Sequence, residues 1–180
     1  MTEEPNANAG TDSSAASVTT EGNRATVSFR RHLSRPAVEI WRSLTQPDGL
    51  SAWFPCDIET EAWQVGALLT FPFPGHEEFT LTGTVLECDE PRLLSYTWGE
   101  EVLRFELTPS TTEVGTELML SDELDRGIAA RNAAGWQICL EQLAGRAPAD
   151  DAWKPLFEQY VAQFEPVLGP QEGPPAEFVD

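Results

Sequence analysis

One stretch of the sequence decides the fold: residues 122–146, DELDRGIAARNAAGWQICLEQLAGR. Its apolar residues fall on one side at helical spacing, which predicts a single amphipathic helix. The apolar stripe consists of Ile128, Gly135, Trp136, Cys139, Leu140 and Leu143. We expect Asp122 or Asp125 to cap the first turn and Gly145 to end the last one. Because a long run of strand-like residues precedes this helix, it needs a sheet to lie on.

The preceding residues alternate apolar and polar side chains in several short runs. The first run is 25–31, and the clearest hairpin joins 94–98 to 103–107. Between them, a short helix is predicted after Ser34, which we expect to act as its cap. Consecutive strands with short connections predict an antiparallel sheet of six to seven strands with one apolar face. A twisted sheet of this size curls, so we predict an α+β fold whose open side is filled by the long helix.

Three smaller features of the sheet are also predicted. Pro72 predicts an edge strand or a bulge, because proline cannot donate to a ladder of hydrogen bonds. Gly83 lies in mid-strand and predicts a bend or the close approach of another backbone. Residues 56–59 predict a brief additional strand.

The chain is predicted to form one domain with two tails. Residues 1–21 are polar and predict a disordered tail, and residues 22–165 form the domain. Within it, a second amphipathic helix is expected at about 150–164. Its apolar stripe is Trp153, Leu156, Phe157, Tyr160, Val161 and Phe164. Residues 166–180 are predicted to be a flexible acidic tail, rich in proline and glycine.

Acidic residues dominate the composition. The formal net charge is −19, from 30 Asp and Glu against 11 Lys and Arg. Such a surface repels phosphate backbones and anionic lipids, so we predict no nucleic acid and no membrane as direct partners. The sequence contains no signal-peptide pattern and no apolar run of about 18 residues. With three widely spaced cysteines and no predicted disulfide framework, the expected location is the cytoplasm.

Several motifs, taken in order, resemble those of the SRPBCC (START / Bet v I-like) superfamily. Residues 40–47, IWRSLTQP, followed by Trp53-Phe54, resemble its opening. GTV at 83–85 with EPRLLSYTW at 90–98 resembles its central segment, and Gly135-Trp136 resembles its long-helix signature. Residues 22–146 are most similar to the branch named after the activator of the heat-shock chaperone ATPase. The resemblance implies a helix-grip fold with an interior pocket for an apolar or aromatic small molecule.

Signals for catalysis are few. Phosphate-binding loops, serine-nucleophile motifs and zinc helices are missing, and His32 and His76 are isolated, so we predict no catalytic residue, no metal and no cofactor. His32 is expected to be solvated. His76 is expected to be an exposed loop residue, or else the candidate for acid–base work at a pocket mouth. Glu59, Glu61 and Glu106 are expected to face water, and no buried, pKa-shifted carboxylate can be identified from the sequence.

The large aromatic side chains are the predicted ligand site. They are expected to meet between the sheet and the long helix, either as a filled core or as the lining of a pocket. In a pocket, the Tyr96 hydroxyl and the N–H groups of Trp98 and Trp136 would orient the ligand. The predicted ligand-binding residues are Trp53, Phe71, Phe73, Tyr96, Trp98, Phe105, Trp136 and Leu140.

The function predicted from these features is the binding of a small apolar or aromatic ligand, without catalysis. One alternative is a protein-interaction or co-chaperone-like module that uses the acidic surface or the terminal helix. A second is an enzyme of the cyclase or hydrolase type that uses the same cavity, as the resemblance implies for some relatives. The stripe from Trp153 to Phe164 either covers the sheet or the long helix, or forms a homodimer contact.

Overall fold

The computed structural model describes residues 15–75 and 79–174, and within these ranges it contains seven strands and four α-helices. The strands are β1 (Ser17–Glu21), β2 (Arg24–Leu33), β3 (Leu68–Pro72), β4 (Thr80–Asp89), β5 (Leu93–Trp98), β6 (Glu101–Pro109) and β7 (Thr116–Asp125). The helices are α1 (Ala37–Thr45), α2 (Pro47–Leu50), α3 (Ala129–Leu143) and α4 (Trp153–Leu168). A 3-10 turn, Arg126–Ile128, joins β7 to α3.

The strands form one open, curved antiparallel sheet in the order β1-β2-β7-β6-β5-β4-β3. Every neighbouring pair is antiparallel. Helix α3 contacts β2 and α4, while α1 contacts β6. Alternate residues of the central strands are buried beneath these helices, as on β7, where positions 116, 118, 120, 122 and 124 all point inward. The predicted α+β helix-grip fold is therefore confirmed.

Two of the smaller features follow the prediction. Strand β3, which ends in Pro72, lies at the edge of the sheet. A Cβ atom added to Gly83 would lie 1.9 Å from the carbonyl oxygen of Thr97, so the backbone of β5 passes too close for any side chain. The brief strand at 56–59 is reduced to an isolated bridge between Glu59 and Thr70.

The long helix begins later than its sequence pattern predicts. Asp122 lies on β7, paired with Leu103 on β6 and Val27 on β2, rather than in the first helical turn. Asp125 does act as a cap, because its Oδ1 accepts a hydrogen bond from the Gly127 N–H at 2.8 Å. The strand extends through Asp122 because its inward alternation continues as far as Leu124.

The helix α1 also differs from prediction at its start. Its N-cap is Pro36, which makes no side-chain capping bond, so the expected cap at Ser34 is wrong. None of the helices in residues 15–75 and 79–174 combines the length and the apolar character required to span a lipid bilayer.

The boundaries of the two predicted tails change. Strand β1 occupies residues 17–21, because its backbone pairs with β2 although its side chains are mostly exposed. Helix α4 continues through Pro166 to Leu168. Beyond it, the Glu172 N–H donates to the Gly127 carbonyl at 2.7 Å, so residues 169–174 pack on the start of α3. Residues 1–14 and 175–180 lie outside the described ranges.

Candidate functional site

A cleft with a volume of about 430 Å³ lies between the β5–β6 hairpin, strand β4 and the two C-terminal helices. Its position follows from the local chain geometry. Trp98 and Glu101 flank the Gly99-Glu100 turn, Arg131 and Asn132 lie in the first turn of α3, and Trp153 begins α4. The lining residues are Phe73, Phe79, Leu81, Trp98, Glu101, Arg131, Asn132, Trp153 and Pro174.

Aromatic rings form one side of this cleft. Phe73 and Trp98 are stacked, with 6.4 Å between their centroids and 24° between their planes, and Phe79 lies 5.2 Å from Phe73. Trp153 is stacked on Phe157 at 4.9 Å and 12°. Each of these rings therefore packs against another ring of the protein.

A smaller cavity of about 140 Å³ adjoins the cleft along α3. It is also lined by Trp98, Arg131 and Asn132, together with Pro55, Gly135, Trp136 and Cys139. Trp98 thus contributes to both spaces. Burial raises the pKa of the Cys139 thiol to about 12, so Cys139 is a small buried hydrophobe, as the sequence predicts.

The cleft is polar where α3 meets β6 and β7. Asn132 Nδ2 donates to Glu101 Oε2 at 2.9 Å and to Asp122 Oδ2 at 3.2 Å, so one amide group bridges two carboxyl groups. Trp136 Nε1 also donates to Asp122 Oδ2, at 2.8 Å. Asp122 is completely buried, and among the described residues its Oδ1 has no hydrogen-bond partner.

Burial raises the pKa of Asp122 well above its ordinary value, and the neighbouring Glu101 carboxyl raises it further. The N–H donors of Trp136 and Asn132, together with the charge of Arg24, lower this pKa but do not outweigh burial. Burial also raises the pKa of Glu101, against the opposing effects of Asn132, Arg131 and Arg24. Of these two coupled carboxyl groups, the completely buried Asp122 therefore has the stronger tendency to hold a proton, and Glu101, which lines the cleft, has the weaker one.

Comparison with known proteins gives the family. The model of the family described as "Activator of Hsp90 ATPase homolog 1-like protein" matches residues 34–147, which is more than half of the chain. The chain belongs to this family. No curated protein sequence matches the chain significantly.

Solved structures agree with the family fold. A conserved protein of unknown function from Enterococcus faecalis is 23% identical, with a TM-score of 0.75 over 87% of this chain and 94% of its own. CalU16 from Micromonospora echinospora is 18% identical, with a TM-score of 0.63 over 86% of this chain and 94% of its own. A protein from Rhodobacter sphaeroides is 24% identical, with a TM-score of 0.58 over 72% of this chain and 95% of its own. At these identities the similarity shows the helix-grip fold alone, which is a fold of the ligand-binding type.

Within this family fold, the predicted site residues separate into two groups. Phe73 and Trp98 line the cleft, and Trp98 and Trp136 line the smaller cavity. The other five lie in the packed core with at most 3% of their surface exposed: Trp53, Phe71, Tyr96, Phe105 and Leu140.

The polar groups expected to orient a ligand are also rearranged. Tyr96 is stacked between Phe71 and Phe105, and burial raises the pKa of its hydroxyl well above the usual value. The Trp136 N–H is already donated to Asp122. Nε1 of Trp98 is buried, and among the described residues it faces the Cys56 thiol without forming a hydrogen bond of normal geometry.

Sequence reasoning missed the polar residues of the site: Glu101, Asp122, Arg131 and Asn132. Two of them, Glu101 and Asp122, could have been found from the alternation of inward and outward residues along their strands. Glu101 lies on the same face of β6 as Leu103 and Phe105. Asp122 lies on the same face of β7 as Leu120 and Leu124. An acidic residue at an inward position of a strand predicts a buried carboxyl group.

The remaining candidates are placed as follows. His32 is partly exposed, with 22% of its side chain accessible, and its Nδ1 lies 2.9 Å from Glu117 Oε1, a contact that raises the pKa of His32. His76 lies outside the described residues. Glu59 and Glu61 are exposed, as predicted. Among residues 15–75 and 79–174, no group of three or more His, Cys, Asp or Glu is arranged to hold a metal ion.

The apolar stripe of α4 packs mainly inward. Tyr160 and Phe164 are completely buried, whereas Trp153, Leu156, Phe157 and Val161 are partly buried against the core. Trp153 also lines the cleft. A homodimer contact through this helix stays a prediction.

Proposed function

We propose that this protein binds a small apolar or aromatic ligand in the cleft between the β5–β6 hairpin and helices α3 and α4. The observation that supports this most is the cleft itself, a concave space of about 430 Å³ within the size range of small-molecule sites. Stacked aromatic rings form its walls, and three polar side chains, Glu101, Arg131 and Asn132, lie at one end. This combination favours a flat apolar molecule that is oriented by a few hydrogen bonds.

The proposal puts the ligand at one end of the fold rather than in its centre. In the centre, the centroid of the Phe105 ring lies 6.0 Å from that of Trp53 and 6.0 Å from that of Tyr96, so side chains occupy this region. The proposed contacts with the ligand are therefore Phe73, Trp98 and Trp153 instead of the whole aromatic set.

Filling the cleft with a larger side chain tests the proposal. Leu81 is a partly buried residue of β4 that lines the cleft. We expect Leu81→Trp to occupy the space and to weaken binding of N-phenyl-1-naphthylamine, an uncharged aromatic probe, by about tenfold or more. Probe fluorescence, titrated with protein, gives the affinity.

Leu86 provides the matched control, because it lies on the same strand, is 42% exposed and does not line the cleft. Leu86→Trp is expected to bind the probe as tightly as the original protein. Equal affinity of the Leu81→Trp protein would show that the probe binds elsewhere, and the proposal would then be wrong.

A further inference from the structure

We infer that the ligand of the cleft is an aromatic molecule carrying a protonated nitrogen, and that the Glu101 carboxylate accepts the hydrogen bond from this nitrogen. The inference rests on the proposed function and adds the chemical class of the ligand. It depends on three features of the cleft: an oriented carboxylate, a guanidinium group that is partly engaged by the protein, and aromatic rings that line the same space.

Glu101 supplies a positioned acceptor. It is the one carboxylate among the described residues that line the cleft, and Asn132 Nδ2 holds its Oε2 at 2.9 Å. Its Oε1 has no hydrogen bond to any described residue, so it keeps lone pairs for a ligand. A hydrogen bond between an ammonium group and a carboxylate is charge-assisted and is stronger than one between neutral groups.

Arg131 is less available to bind an anionic ligand than Glu101 is to bind a cationic one. Its Nη1 donates to the carbonyl oxygen of Gly173 at 3.2 Å, which ties it to the segment whose Pro174 forms one wall. Its positive charge stabilises the Glu101 carboxylate instead. The cleft therefore offers a ligand the positioned carboxylate of Glu101, whereas one N–H group of Arg131 is already bonded to the protein itself.

The aromatic walls and the whole-protein charge favour a cation as well. Trp98 and Phe73 line the same cleft as Glu101, and an organic cation is attracted to the face of an aromatic ring. The formal net charge of −19 attracts cations to the protein as a whole.

Binding of such a cation is coupled to the protons of the carboxyl pair. The groups facing the pair are Arg24 from β2 and Arg131, Asn132 and Trp136 from α3. A cationic ligand favours the ionised pair, so its affinity falls as the pH decreases through the raised pKa of Glu101. An uncharged ligand of the same shape lacks this dependence.

Three naphthalenes of similar shape test the inference: 1-naphthylmethylamine, 1-naphthalenemethanol and 1-naphthoate. Calorimetric titration of the full chain near neutral pH is expected to give the tightest binding for the amine, by about tenfold over the alcohol. In Glu101→Gln the amide oxygen still accepts from Asn132, and the advantage of the amine is expected to disappear while alcohol binding is retained. The amine affinity of the original protein is expected to rise with pH, and that of the alcohol to stay constant.

Glu100→Gln is the matched control, because it removes the same charge from the adjacent, exposed residue of the turn, which does not line the cleft. It is expected to preserve the preference for the amine. If Glu100→Gln and Glu101→Gln lost equal amounts of affinity for the amine, the preference would come from the overall negative charge of the protein, and the inference would be overturned. Tightest binding of the naphthoate, or an amine affinity that does not change with pH, would also overturn it. Failure of all three probes to bind would instead count against the proposed function, and equal binding of amine and alcohol would overturn this inference alone.

Discussion

Asp122 is an acidic residue in an unusual environment, because its side chain lies inside the apolar core. It is completely buried between Val27 and Leu103, and two donors converge on one of its oxygens, Oδ2. A buried carboxylate without a full ion pair is costly, so burial favours the neutral form of Asp122 and raises its pKa. Glu101 is the member of the pair that carries a negative charge more readily, which is the role that the proposed cationic ligand requires.

This protonation makes stability depend on pH in a defined direction. The pKa of Asp122 is raised in the folded state, so between its unfolded pKa, near 3.9, and its folded pKa the folded chain binds one proton more than the unfolded chain. The free energy of unfolding contributed by Asp122 therefore falls with rising pH, by at most about 1.4 kcal/mol per pH unit. We therefore expect the stability of Asp122→Asn, measured relative to the original protein, to increase from pH 4 toward pH 7.

Urea unfolding of both proteins across this pH range measures the difference. Glu123→Gln is the control, since Glu123 is the next residue of β7 and its side chain is 50% exposed. A stability difference between Asp122→Asn and the original protein that is constant with pH would mean that Asp122 titrates alike in the folded and unfolded states.

At the level of elements, the segment after α4 stabilises the start of α3. Gln171 Oε1 accepts from the Ala130 N–H at 2.9 Å, and Gln171 Nε2 donates to the carbonyl of Arg126 at 3.0 Å. The first N–H groups of a helix have no partner within the helix, and the N-cap Ile128 offers no side-chain bond. Gln171 therefore caps α3 from a distance of 41 residues in sequence.

Loss of this remote cap is expected to destabilise the fold modestly. Gln171→Ala should lower the free energy of unfolding by about 1 kcal/mol, which is typical of a lost helix cap. Glu172→Ala is the comparison, because its bond to Gly127 is made by the backbone N–H and survives the substitution. Thermal and urea unfolding give the stability of both variants. If Gln171→Ala were as stable as the original protein, water would replace the hydrogen bonds of Gln171 without loss of stability.

The elements also show which features were predictable from the sequence. Strands β2, β6 and β7 follow from alternation, because one face of each is buried. The sequence of β5 also alternates, although Ser95 on its polar side is buried as well. β1 has no such pattern, since an edge strand held by backbone hydrogen bonds needs no apolar face. The start of α3 was misplaced because acidic residues before an apolar run are also typical of a helix N-terminus.

The candidate site was only partly predictable for a related reason. Phe73, Trp98 and Trp136 are large and aromatic, so the sequence alone selects them as candidates. The bridge from Asn132 to Glu101 and Asp122 joins α3 to two strands, and no local pattern records that these residues meet. Whether a given ring lines a cavity or fills the core depends on packing between distant elements, as the contrast between Trp98 and Tyr96 shows.

At the level of the whole molecule, the acidic charge opposes the compact state. A net charge of −19 on 180 residues produces repulsion among surface carboxylates, and folding brings these groups closer together. The described ion pairs, such as Arg24 with Glu123 and Arg104 with Glu106, are partly exposed and offset little of this repulsion. The same field attracts a cationic ligand toward the cleft.

Screening this repulsion should stabilise the protein. Raising NaCl from about 0.01 M to about 1 M shortens the Debye length from about 30 Å to about 3 Å, so we expect the urea midpoint at neutral pH to increase. The increase should shrink as the pH approaches the isoelectric point of about 4.2, where the net charge vanishes. Binding of 1-naphthylmethylamine should respond in the opposite direction, because salt also screens the attraction between the ligand and the protein. A midpoint that falls with salt at neutral pH would show that attractive ion pairs outweigh the repulsion among the carboxylates.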